Sequence, residues 1–148
     1  MKSILSLLIA GFLFISNTAF ANLTIENAYV RATPPHAKNS AAFMVIHNSN
    51  KEEVKLIAAS SDIAQRVELH NHLMQDGLMK MRQVKQISIK AKNKTALQPG
   101  SYHVMFFELK QPLKDGESVA LKLYFDNGEE ITVDAPIKKI TMHKNKTD

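Results

Sequence analysis

Residues 66–82 read Arg-Val-Glu-Leu-His-Asn-His-Leu-Met-Gln-Asp-Gly-Leu-Met-Lys-Met-Arg. Two alternating runs flank Asp76-Gly77, a dipeptide that closes two-residue hairpins because both positions accept a positive φ. Side chains on a strand alternate between faces. On the first arm Val67, Leu69 and Leu73 therefore point one way, and Glu68, His70, His72 and Met74 the other. On the second arm Met79 and Met81 share a face. A two-residue loop pairs Met74 with Met79 and His72 with Met81. His70 is then diagonal to Met81, within reach of a long side chain.

Outward from this hairpin the pattern is again strands and turns. An alternating run at 22–31 ends at Thr33-Pro34-Pro35, since proline cannot continue a ladder. Ala41 to His47 is a short continuous apolar run, as expected of a buried strand. Residues 53–59 make a further strand, 60–65 a link, and Ile87 and Ile89 a brief strand. A long apolar strand at 101–109 follows the Pro99-Gly100 turn. Val119, Leu121, Leu123 and Phe125 alternate in the next, and Asp126-Asn127-Gly128 turns into 130–137. No long stretch has helical spacing. Strands at this spacing predict an all-β protein, a sandwich or a barrel.

The chain has 148 residues, room for one ordinary domain. Its first 21 read as a secretory signal peptide. Lys2 supplies the positive start, Ile4 to Ile15 the apolar run and Ala19-Phe20-Ala21 the cleavage site. That run is short for a membrane span, so no stable membrane insertion is expected. The expected organisation is a signal peptide at 1–21, a β-domain at 22–137 and a flexible tail at 138–148. There is no cysteine. This excludes disulfides, thiolate catalysis and attachment of a lipid to a cysteine after the apolar run. The formal charge is +5. Without Lys2 it becomes +4, from 18 basic and 14 acidic residues. The excess is spread along the chain, not gathered into the stripe a nucleic-acid binder needs. It suits docking on an acidic partner.

The chemistry sits in the histidines and methionines. On 101–109, His103, Met105 and Phe107 share a face, while Tyr102, Val104 and Phe106 share the other. Bringing His103 and Met105 beside the hairpin gives two imidazoles and two or three thioethers, a neutral and soft set. Such a set favours Cu(I) over Zn(II) or Cu(II). Met44 reads as core, and His36 and His47 as turn or surface residues. Met74 and Met79 read as partly exposed residues of the hairpin tip. Met142-His143 in the tail stands open between a solvated end and an accessory ligand pair. An enzyme finds no support, with no Ser-His-Asp spacing and no clustered carboxylate pair. The reading from another class is a metal-free exported β-sandwich serving adhesion or assembly.

These residues resemble a known family, the periplasmic copper chaperones of the PCu(A)C type. Its motif is a His, ten residues, a Met, twenty-one residues and His-x-Met. Here it falls on His70, Met81, His103 and Met105. The surroundings match as well: Val30-Arg31-Ala32-Thr33-Pro34-Pro35, Arg66-Val67-Glu68-Leu69-His70, Asp76-Gly77-Leu78-Met79-Lys80-Met81-Arg82 and Pro99-Gly100-Ser101-Tyr102-His103-Val104-Met105. The family often has Met where this chain has His72. The resemblance implies a single cupredoxin-like Greek-key β-sandwich located in the periplasm. It implies a monomer that binds copper, Cu(I) before Cu(II), at those four residues. The partners it implies are copper-donating or copper-accepting periplasmic proteins, among them cytochrome oxidase subunit II and its assembly factors, with delivery to the Cu(A) centre. Local pairing puts His72 opposite Met81, whereas the family spacing puts the ligand at His70. A bulge at the turn would reconcile the two.

Overall fold

The structure is a computed structural model in which residues 22–140 are described. It contains ten strands and, among the described residues, no helix. They are β1 (Leu23–Arg31), β2 (Asn39–Asn48), β3 (Val54–Ser60), β4 (Ala64–Gln75), β5 (Leu78–Gln83), β6 (Ile87–Ile89), β7 (Asn93–Leu97), β8 (His103–Leu109), β9 (Ser118–Phe125) and β10 (Glu130–Lys138). The hydrogen-bonded path runs β5-β4-β8-β2-β1-β10-β9-β3-β6. It folds over where β1 meets β10 in a short parallel pairing, Val30 with Ile137 and Arg31 with Lys138. Every other pairing is antiparallel.

Between the two layers lies the main apolar core. Leu69, Val104, Phe106, Met44 and Ile46 come from the layer that carries the hairpin. Val54, Leu56, Val119, Leu121, Leu123, Phe125 and Ile137 come from the other. The alternation of Val119, Leu121, Leu123 and Phe125 is seen directly, because all four are buried. Met44 is buried in this core, as its place in the apolar run requires.

Strand β2 organises the hairpin's layer. One of its edges pairs with β1. The other is shared, β8 covering Asn39 to Ala42 and β7 covering Met44 to Asn48. Strand β7 has no counterpart in the sequence reading. It buries only Leu97 fully, so its residues carry no alternation. It exists because the half of β2 beyond β8 needs backbone partners. Strand β4 begins at Ala64, inside the expected link, and β10 ends at Lys138, one residue into the expected tail.

The hairpin has the simple register. Gln75 pairs with Leu78, Met74 with Met79, Leu73 with Lys80, His72 with Met81 and His70 with Gln83. Both turn residues adopt the left-handed conformation, Asp76 at φ 55° and Gly77 at φ 72°, as a two-residue turn demands. There is no bulge between the arms. The other edge of β4 pairs with β8, setting Arg66 beside Phe107, Glu68 beside Met105 and His70 beside His103.

Candidate metal centre

The histidines and methionines singled out in the sequence lie on the outer face of the hairpin's layer, opposite the main core. The reason is alternation. Leu69, Val104 and Phe106 take the inner face, so Glu68, His70, His103 and Met105 must take the outer one. A small second cluster floors this outer face: Ala41, Phe43 and Met105, with Tyr29 and Phe107 against them. Tyr29 and Phe43 pack with ring centroids 5.2 Å apart.

His103 is the fixed point. It is 2% exposed. Its Nδ1 lies 2.8 Å from the Ser101 carbonyl oxygen, an acceptor, so Nδ1 carries the proton and donates it. Its Nε2 keeps the lone pair, 3.2 Å from the Met81 sulfur. This contact crosses β4, since His103 is on β8 and Met81 on β5. His72 lies between them and stacks on His103, with centroids 5.0 Å apart and planes at 29°. Burial pushes the His103 imidazole below its ordinary pKa. The Ser101 bond opposes this, while His72, His70 and Arg31 act in the same direction as burial. The neutral ring so favoured is the form that binds a metal.

His70 is placed by a chain of charges along one face of β4. Arg66 Nε lies 2.7 Å from one Glu68 oxygen, and His70 Nε2 lies 2.7 Å from the other. Arg66 also covers the Phe107 ring at 4.6 Å. The carboxylate accepts the His70 Nε2 proton and leaves Nδ1 as the free nitrogen. That Nδ1 is buried without a partner, and so is Nδ1 of His72. An unpaired buried polar atom costs on the order of 1–3 kcal/mol. The His70 Nδ1 lone pair is one that a cation would satisfy. Carboxylate backing of a ring nitrogen is also the usual way a metal-binding imidazole is oriented.

A cleft of about 360 Å³ opens on this face. His72, Met81, His103 and Met105 line it, with Phe43 and Arg31 on the far side. The Arg31 guanidinium lies 5.7 Å from the Phe43 ring centre. His70 does not line the cleft; its ring stands 5.9 Å from that of His103. Seven of the sequence candidates thus share one face: His70, His72, Met74, Met79, Met81, His103 and Met105. The others lie elsewhere. Met44 is in the core, His36 is in an exposed turn with φ 66°, and His47 pairs with Glu26 at 2.9 Å. Met142 and His143 lie outside the described residues. Glu68 and Arg66 were missed as supports for His70. The available signal was their spacing of two along one strand face.

Among the described residues, no three His, Asp or Glu side chains converge to hold an ion by themselves. A centre that also draws on the thioethers suits soft cations. The Nε2–sulfur separation is suitable. With bonds of about 2.0 Å to nitrogen and about 2.3 Å to sulfur, two ligands on one tetrahedral ion stand about 3.5 Å apart.

Comparison with known proteins bears on the family and the fold. Residues 23–137 match the family described as "Putative lipoprotein LpqE-like". The "Putative lipoprotein Lxx21020" of Leifsonia xyli subsp. xyli is 29% identical over 115 residues, 77% of this chain and 68% of that protein. Protein RP573 of Rickettsia prowazekii is 26% identical over 100 residues, 67% of this chain but only 55% of its own length. Among solved structures, the copper-bound PCuAC domain from PmoF2 superposes with a TM-score of 0.70 at 20% identity, covering 82% of this chain and 97% of that one. The solution structure of the Cu(I) form of DR1885 from Deinococcus radiodurans gives 0.66 at 31% identity, covering 84% and 83%. The all-β architecture is therefore the cupredoxin-like fold of these domains, as the sequence leads one to expect. The chain belongs to the LpqE-like family, of the PCuAC type.

Proposed function

We propose that this protein is a copper chaperone that binds Cu(I) on the outer face of the β4–β5–β8 region and hands it to a partner. His70, through Nδ1, and His103, through Nε2, supply the nitrogens. Met81 and Met105 supply the sulfurs. His72, which stacks on His103, assists with oxidised copper in this reading. One observation carries the reading: the free Nε2 of a buried histidine stands 3.2 Å from the sulfur of a methionine two strands away. The Cu(I) form of the Deinococcus radiodurans relative supports the choice of ion.

The role is carriage, not catalysis. The set is neutral and soft, it lacks the cysteine of a fast electron-transfer copper site, and its cleft opens to solvent. The signal-like residues 1–21 lie outside the described ones. They support export and a periplasmic location. No helix among the described residues is long and apolar enough to cross a membrane. The proposed recipients are periplasmic copper proteins, cytochrome oxidase subunit II and its assembly factors among them.

Competition with a chelator specific for Cu(I) tests the reading. The mature protein, residues 22–148, is expected to withhold one equivalent of Cu(I) with an affinity of about micromolar or tighter. Inability to compete at that level returns the protein to the class of metal-free assembly modules.

A further inference from the structure

Beyond the centre, the hairpin tip carries more sulfur. Met74 and Met79 are direct cross-strand partners on the same face as His72 and Met81. They are 67% and 58% exposed, and neither belongs to either apolar cluster. They hold no part of the fold together. Burying an apolar side chain is what stabilises a fold, and these two bury little.

The tip is also chemically sorted. Its exposed large apolar residues are Leu73, Met74, Leu78, Met79 and Met81. Leu73 pairs with Lys80 and Leu78 with Gln75, so both leucines fall on the face away from the cleft. The three methionines all fall on the face of the cleft. A patch built only for apolar docking gains nothing from this division. A path for a soft ion does.

We infer that Met74 and Met79 form a second, outer thioether site, on which Cu(I) rests between the buried centre and a receiving protein. The inference rests on the copper reading of the inner centre. Directly opposed side chains on an antiparallel pair have Cβ atoms about 4.5–5.5 Å apart, close enough for two long thioethers to share one ion. The diagonal neighbours Met74 and Met81 are about 7–8 Å apart, still within reach of long side chains. Copper passes outward by ligand exchange. A bond from the ion to the Met79 or Met74 sulfur forms while Met81 still holds it, the bonds to Met105, His70 Nδ1 and His103 Nε2 break, and the Met81 bond is released last as the second outer sulfur binds. Copper stays in the +1 state, and no proton or electron moves. Two thioethers without an imidazole hold the ion weakly, so a receiving protein completes its coordination easily.

Methionine methyl NMR of the mature protein under reducing conditions tests this, with Cu(I) alone as the probe. The first equivalent is expected to shift the Met81 and Met105 signals, and the second those of Met74 and Met79. In parallel, release of bound Cu(I) to a coloured chelator is followed in the Met74→Leu/Met79→Leu variant. Leucine keeps the apolar surface and removes only the sulfur. The inner affinity should be unchanged, while release slows about tenfold, the scale of losing one supporting group at a metal site. Unmoved Met74 and Met79 signals, or a release rate equal to that of the unaltered protein, overturn the outer site. Unmoved Met81 and Met105 signals instead overturn the inner centre, so one titration reads the two separately. A Leu73→Ser/Leu78→Ser variant that slows release as much as the methionine variant would assign the effect to apolar contact and also overturn the thioether site.

Discussion

The cleft has two unlike walls. One is β8, hydrogen-bonded to β4 on one side and β2 on the other. Its proposed ligands, His103 and Met105, are buried, and His103 is pinned by Ser101. The other wall is β5, a six-residue edge strand whose one neighbour is β4. Its Met81 is 41% exposed. The inner wall fixes where a nitrogen lone pair stands. The outer wall brings a flexible thioether to it and can move it away. A carrier needs both properties, because a centre rigid on all sides would hold its cargo and release it slowly. Elements with few buried contacts open most readily, and here that element is the hairpin.

Removing the fixed wall's ligand should have the largest effect. His103→Ala is expected to weaken Cu(I) binding by about 100-fold or more, the upper end of what supporting groups alone cost at metal sites. Chelator competition measures it. A loss below tenfold would mean that the inner wall does not anchor the ion.

A smaller effect is expected from the two histidines of β4, and here it sharpens the comparison. His70 is backed by Glu68 and buried, whereas His72 faces the cleft opposite Met81. His70→Ala should lower Cu(I) affinity more than His72→Ala, by about tenfold, and His72→Ala should act mainly on Cu(II). Both ions are titrated on both variants. A larger Cu(I) loss from His72→Ala would hand the ligand role to the residue that hairpin register favours.

The smallest effect is on stability, and it tests the burial difference directly. Met105→Leu and Met81→Leu both keep volume and apolarity, which costs less than about 1.5 kcal/mol. Met105 is buried against Ala41 and Phe43, so its variant should show a measurable drop in urea unfolding. Met81→Leu, on the exposed arm, should stay within about 0.5 kcal/mol of the unaltered protein. Cu(I) affinity should fall in both. Equal stability losses would mean that the two walls are equally packed.

Much of this was legible in the sequence. Asp76-Gly77 set the hairpin register, and alternation placed Glu68, His70 and His72 on one face of their strand and His103 with Met105 on one face of theirs. Strand β7 was not legible, because Asn93 to Ala96 bury no face and their role is to pair backbone with β2. Nor was the contact between His103 and Met81. Alternation says which side of a sheet a residue takes, but not that its side chain crosses a neighbouring strand to meet the one beyond. The choice between His70 and His72 lay past the reach of periodicity, since both share one face. What the structure adds is that Glu68, itself paired with Arg66, holds the His70 ring.

The layers join where the first strand meets the last, Val30 and Arg31 against Ile137 and Lys138. More than a hundred residues separate these partners along the chain. Contacts so distant in sequence must close a long loop before they stabilise anything, which slows folding. The seam between the layers cannot form until the final strand has been made. A chain of this topology cannot close its core until nearly its whole length has been synthesised.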